Sequence, residues 1–196
     1  NVAIFNILIN GVPGDQAYVN AGLFNATNSN IPIEDGIVLG SGDCANVIGP
    51  NNSGSSSMPG DAPAYNDPDL DSIATNTTFD ETVLEFDFIP QGEVVLFRYV
   101  FSSEEYNEYV CATVNDAFGF FISGPGLNGP FTNDGINIAI IPETDLPVSI
   151  NTLNIGVIGS NGSEANCTAE DLANSDYYID NATNTSPTAT QMDGFS

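Results

Sequence analysis

The chain has no histidine, no lysine, no tryptophan and one basic residue, Arg98, against 26 acidic ones, so its formal charge at neutral pH is −25 over 196 residues. Each absence closes off a class of function. Phosphate backbones are bound through Lys and Arg, so no basic patch for nucleic acid exists, and an anionic membrane surface repels the chain. Without His or Lys the usual base for a Ser or Cys nucleophile is missing, and so is any Schiff-base amine. A two-carboxylate glycosidase needs neither, but any pair among 26 acids passes a sequence test, so no catalytic residue is assigned. The lack of Trp weakens the common sugar-stacking platform, which leaves Tyr65, Tyr106, Tyr109, Tyr177 and Tyr178 to stand in. No apolar run approaches the roughly 18 residues of a spanning helix, and no membrane insertion is expected. The three cysteines, Cys44, Cys111 and Cys167, have no C-x-x-C spacing. Zinc is therefore not expected, and a disulfide with one leftover thiol fits an exported protein; three reduced core cysteines are the alternative. The start at Asn1 is read as that of a mature, processed product.

What is present is a core. Hydrophobic residues make up 41% of the chain and include 12 Phe, enough to fold despite the charge. They recur with period two or in short runs, hardly ever with the helical period. In "VLEFDFIP", Leu84, Phe86 and Phe88 alternate with Glu85 and Asp87, as in a half-buried strand. In "EVVLFRYVF", Val95, Phe97, Tyr99 and Phe101 form one face while Leu96 and Val100 flank Arg98 on the other, which predicts a central strand covered on both sides. Arg98 buried there needs a carboxylate partner, with Glu85, Asp87 and Glu104 the candidates for a structural ion pair. Further strands are expected at "VAIFNILI", "QAYVNAGLF", "GIVLG", "AFGFFIS", "INIAII", "PVSI", "NIGVI" and "DYYID", punctuated by Gly, Pro and Asn. The fold class is all-β, a β-sandwich or jelly roll in a single domain over 1–196, with a long polar loop at about 49–78 and at most one or two short helices. One helix is expected to start at Thr168, where Asp171 stands three residues after a capping hydroxyl.

The acids are packed closely. "FSSEEYNEYV" sets Glu104, Glu105 and Glu108 within five positions, and Asn115 and Asp116 follow before the next strand. Oxygen-rich loops of this kind suit Ca²⁺, which takes six to eight oxygen ligands, so Glu104, Glu105, Asn115 and Asp116 are expected to converge on one ion. The alternative is that they solvate a loop or cap a turn through Ser102 or Ser103. "DPDLD" places Asp67, Asp69 and Asp71 at alternate positions, a second candidate calcium loop outside the EF-hand pattern, since Ser72 and Thr78 stand where that pattern needs Gly and Glu. Asn-x-Ser/Thr sequons begin at Asn25, Asn51, Asn76, Asn161, Asn166, Asn181 and Asn184, and allow a glycan-decorated exterior.

At "LEFDFIP", "FRYVFSSEEYNEYV", "NDAFGFFISGPG", "NIAIIP", "PVSIN" and "MDGFS" the chain resembles the bacterial choice-of-anchor L domain; "ILINGV", "GIVLGSG", "GPN" and "DPDLD" extend the resemblance over almost its whole length. The resemblance implies a secreted, mainly β, non-enzymatic domain of cell-surface proteins. Similar domains continue past "MDGFS" into further strand-like sequence, so two expectations stand side by side: the C-terminal part has been removed, or the sheet is one or two strands short and a neighbouring molecule supplies them. Cys111 and Cys167 lie in blocks shared with that family, and a bridge between them would leave Cys44 as the odd thiol, to pair between chains or to replace either partner. The expected function is a structural or adhesive module that self-associates into a homopolymeric extracellular filament by strand addition, with Val2–Ile9 as a candidate donor strand. The alternative is a Ca²⁺-dependent carbohydrate-binding module.

Overall fold

The computed structural model describes residues 2–54, 65–182 and 190–196. The chain is all-β in kind: short antiparallel strands in small sheets, with a single α-helix among the described residues. It falls into two compact units, one made of Asn1–Ile48, Ser57–Asn66 and Phe79–Val100, the other of Gly49–Ser56, Asp67–Thr78 and Phe101–Ser196.

In the first unit, β1 (Val2–Ile9) lies between β2 (Val12–Pro13) and, across the unit, β5 (Leu84–Pro90). Ile4 faces Phe88 and Ile9 faces Leu84, with a register shift between Phe5 and Leu8 where Asn6 takes a positive φ. A second pair joins β3 (Ala21–Asn25) to β4 (Asp35–Leu39). The alternation of "LEFDF" holds: Leu84, Phe86 and Phe88 are half-buried and Glu85 and Asp87 exposed. Phe97 packs on this face, its ring centroid 5.9 Å from that of Phe88 and 6.4 Å from that of Phe86.

The expectation that "EVVLFRYVF" is a central strand covered on both sides is corrected, since residues 93–101 form no strand. Val95 and Phe97 are half-buried, but Val94 and Leu96 are 85% and 81% exposed. Arg98 is exposed too, and its Nη2 donates to the Pro32 carbonyl at 2.8 Å in place of the buried carboxylate pairing expected of it. The physical reason is shared: one face of the segment has an aromatic layer to pack on and the other has none, so the guanidinium stays in water and needs no counter-charge.

The second unit holds α1 (Pro68–Ala74) and the strands β6 (Ser102–Ser103), β7 (Ala117–Phe118), β8 (Phe121–Ile122), β9 (Ile136–Asn137), β10 (Val148–Ser149), β11 (Ile179–Asp180) and β12 (Gly194–Phe195). They pair as β11–β12–β6, β7–β10 and β8–β9. Its core is built around Tyr106, with Phe101, Val110, Ile141, Ile150 and Leu153 buried beside it. The Cys111–Cys167 disulfide is present and closes 56 residues of separation, while Cys44 is a buried free thiol in the first unit.

Two helix expectations change. Thr168 and Asp171 make the reciprocal capping bonds, Asp171 accepting from the Thr168 amide at 2.7 Å and hydroxyl at 2.8 Å, but they close a turn, not a helix. Asn174 ends it by donating to the carbonyls of Thr152 and Glu170. The helix forms instead at α1, within the segment read as a loop, of which residues 55–64 lie outside the described residues. Asp67 caps it by accepting from the amides of Asp69 and Leu70, Pro68 occupies its first turn, and Thr75 closes it in the left-handed conformation.

Candidate functional site

Two features of the chain carry chemistry, one apolar and one acidic. The apolar one belongs to the first unit. Most of the large exposed hydrophobics lie there: Val2, Ile4, Phe5 and Ile7 on β1, Ile89 on β5, Val94 and Leu96 beyond it, and Leu23, 88% exposed, opposite Ile37 on the β3–β4 pair. Among the described residues the outer edge of β5 carries no partner strand. An open edge beside exposed apolar side chains is what a further strand requires, with backbone groups for the ladder and a surface to cover. β1 itself is engaged on both edges, between β2 and β5.

The acidic feature belongs to the second unit, which contains no basic residue. Ser103 organises one half of it. Its hydroxyl donates to Asp116 Oδ2 at 2.7 Å and accepts from the Glu105 amide at 2.9 Å. Burial raises the Asp116 carboxyl above the ordinary range, with the Ser103 hydrogen bond acting in the opposite sense. Burial also raises Glu105, reinforced by Asp116 and then Glu108. Glu105 Oε2 is buried and takes no hydrogen bond.

The other half gathers on β11–β12–β6, where Asp180 faces Gly194 and Gly194 faces Ser103. Glycine is required at 194 because a Cβ there would run into the Tyr178 ring. The Tyr178 hydroxyl donates to Asn107 Oδ1 at 2.8 Å, and burial, then Asp180, push its own pKa up. Asp180 Oδ1 accepts from the Ala182 amide at 3.1 Å and from Asn107 Nδ2 at 3.5 Å. Asp193 is 1% exposed; its Oδ1 accepts from Asn51 Nδ2 at 2.6 Å.

Of the residues expected to bind calcium, the structure brings the Asp116 carboxylate and the Glu105 backbone amide to one hydroxyl, with Glu104 half-buried beside them in sequence. Asn115 is turned elsewhere, accepting from the Asn151 amide and donating to the Ala74 carbonyl. The acids of "DPDLD" diverge: Asp67 caps α1, Asp69 accepts from the Thr132 amide, and Asp71 accepts from the amide and hydroxyl of Thr78. Among the described residues no three Asp, Glu or Cys side chains are grouped so as to hold a metal. Asn107, Asp180 and Asp193 were not foreseen from the sequence, and Tyr178 was foreseen only as a stacking ring. The signal was the glycine of "MDGFS", which lets Tyr178 lie against the strand next to Asp193.

The sequons divide as well. Asn25, Asn76, Asn161 and Asn166 are exposed. Asn51 and Asn181 are buried, their amide nitrogens donating to Asp193 and the Asn181 carbonyl, and to the carbonyls of Thr190 and Met192, respectively. These two amides are structural and leave no room for a glycan, a correction to their placement on surface loops. Asn184 lies outside the described residues.

The raised carboxyls give a signed expectation. A carboxyl whose pKa is higher folded than unfolded binds more protons in the folded state, so its contribution is full below the unfolded pKa and is lost as pH rises through the folded one. Melting temperature should therefore fall from pH 5 to pH 8, and Asp116→Asn, which keeps an acceptor for Ser103, should raise it at pH 8 and flatten the profile. A profile unchanged by the substitution would show that Asp116 titrates normally.

No helix among the described residues is long and apolar enough to cross a membrane. The family model described as Choice-of-anchor L domain matches residues 1–196. No curated protein and no solved structure gives a match.

Proposed function

Because the chain belongs to the choice-of-anchor L domain family over its whole length, and that family is one of bacterial surface-associated or secreted domains and not a known enzyme family, we propose that it is a non-catalytic structural and adhesive module that self-associates by strand addition at the outer edge of β5. The observation that carries this reading is the unpaired edge of β5 together with the exposed apolar side chains on it and on the segment that follows, Ile89, Val94 and Leu96. Large apolar side chains left this exposed are what an added strand would cover. Backbone hydrogen bonds would supply affinity and the apolar side chains the register. Copies carrying −25 each repel one another, so assembly is expected to strengthen with salt, which screens exposed charges beyond about 8 Å at physiological ionic strength. Of the exposed sequon asparagines, Asn25 and Asn161 suit a decorated exterior, whereas Asn76 and Asn166 spend their amide nitrogens on the carbonyls of Thr113 and Cys111.

The test is the double variant Ile89→Asp, Leu96→Asp, examined by light scattering and negative-stain imaging beside the wild type. Both side chains are exposed, so stability is expected to change by no more than about 0.5 kcal/mol. Wild-type protein should form higher-order species that the variant does not. A wild type that stays monomeric at high concentration and 0.5 M salt, or a variant that assembles equally well, would end this reading.

A further inference from the structure

The acidic half of the second unit contains one group that its own hydrogen bonding leaves unfinished. Asp193 is 1% exposed, Oδ1 accepts from Asn51 Nδ2 at 2.6 Å, and Oδ2 is buried with no hydrogen-bond partner. An ionised carboxylate held out of water with one oxygen unanswered is costly, and the protein commonly meets that cost with a counter-charge or a proton. The charged groups near enough to act on Asp193 are Glu108 and Asp180, both negative, and the unit has no Lys, Arg or His to set against them. The surroundings are rich in oxygen. Asn107 Oδ1 and the Tyr178 hydroxyl lie together, Asp180 is tied to Asn107, and Asn107 and Glu108 line an open depression of about 310 Å³ beside them, whose other walls include Ile155, Val157 and Ile158 and which Asp193 itself does not line.

The geometry points to a divalent-cation site anchored on the buried, unpartnered oxygen of Asp193, with Asp180 and Glu108 as its nearest further negative charges. No three acidic side chains among the described residues form a ready-made cage. The ion therefore takes its remaining ligands from amide oxygens, backbone carbonyls and water, a donor set that suits Ca²⁺, which accepts six to eight oxygens in flexible arrangement. The small, strictly octahedral Mg²⁺ fits such a loose set less well. Apart from Glu108, the site uses none of the acids singled out in "FSSEEYNEYV" and "DPDLD", and it does not depend on self-association. It gives the second unit the positive charge that its amino acids do not provide, and it ties β12 to β11 and to the turn after β6.

The rival explanation is a proton. Burial raises the Asp193 pKa, and Asn51 opposes the shift. A neutral Asp193 would need no metal. Terbium luminescence separates the two, because the chain has no Trp and Tyr178 would sensitise an ion bound beside it. Chelator-treated protein in 0.15 M salt at pH 7.5 is titrated with Tb³⁺, then competed with Ca²⁺ and with Mg²⁺. The expected result is one saturable site displaced by Ca²⁺ at least tenfold more effectively than by Mg²⁺. Asp193→Asn should weaken binding at least tenfold, and the exposed Glu164→Gln less than twofold. Should Asp193→Asn fail to fold, as judged by circular dichroism, the half-buried Asp180→Asn takes its place with the same expectation. Wild-type protein that shows only weak, unsaturable binding, or an Asp193→Asn variant that binds like wild type, overturns the site.

Discussion

Replacing Cys111 and Cys167 together by serine is expected to lower the unfolding free energy by about 4 kcal/mol. The bridge closes a separation of 56 residues, and restricting a loop of that size in the unfolded chain is worth roughly this much in the chain-entropy account. Against a typical domain stability of about 5–15 kcal/mol the loss is a large fraction of the whole. Packing adds to it, because Cys111 is fully buried in the core and Cys167 packs against it. The chain around the bridge leans on the same place: the Cys111 carbonyl accepts from the Ser163 amide at 2.9 Å and from Asn166 Nδ2 at 3.0 Å, and its amide donates to Asn151 Oδ1 at 2.6 Å. Urea unfolding of the double variant and of reduced wild type should show nearly the same loss. A loss under about 1 kcal/mol would mean that Cys111–Cys167 does not constrain the unfolded chain in the way its span implies.

Tyr106→Ala is expected to cost a similar amount, about 3–5 kcal/mol, the range for removing a large aromatic from a packed core. Tyr106 is wholly buried, its ring centroid 4.8 Å from that of Tyr178 and 6.3 Å from that of Phe101, so it joins the core to the acidic half of the unit. Its hydroxyl donates to the Leu153 carbonyl at 2.6 Å. Tyr106→Phe keeps the ring and strands that carbonyl, which should cost about 1–3 kcal/mol. The gap between the two variants separates packing from hydrogen bonding. Equal losses would show that the hydroxyl carries the whole effect, contrary to the position of the ring.

The fold was most legible where one face of a strand meets a core and the other meets water. "LEFDF" alternates in the sequence and alternates in burial. "VAIFNILI" is a strand from Val2 to Ile9, because an apolar run interrupted only at Asn6 and bounded by Asn-Gly has few alternatives. "EVVLFRYVF" misled because apolar residues on both faces imply two covering layers only if both layers are supplied, and periodicity reports the pattern, not the cover. The helix at Pro68 was written in "DPDLD" as a capping Asp, a proline at the first position and acids in the first turn. The same letters read as oxygen ligands, and spacing alone does not decide between the two. At Thr168 the capping box formed without a helix, since an N-terminal signal needs a run of helical partners after it and Asn174 binds backbone carbonyls of its own.

The acidic site was legible only in its first half. Glu105 and Asp116 stand 11 positions apart and meet at Ser103, within reach of a reading by proximity in sequence. Asp193 meets Asn51 across 142 positions at the end of the β11–β12–β6 pairing, and strands of two residues leave no periodic trace. The whole-chain family match supplies the class of function, and the charge balance supplies the exclusions.

The claim on which the functional account turns is that the outer edge of β5 is open in one chain and filled by another. Hydrogen exchange at the amides of Leu84–Pro90, followed from dilute to concentrated wild-type protein, reads that edge directly. The account predicts that amides not bonded to β1 exchange rapidly when dilute and become protected as concentration rises, while those bonded to β1 stay protected throughout. Protection of the whole strand at every concentration, or outward amides that remain fast in concentrated solution, would contradict it.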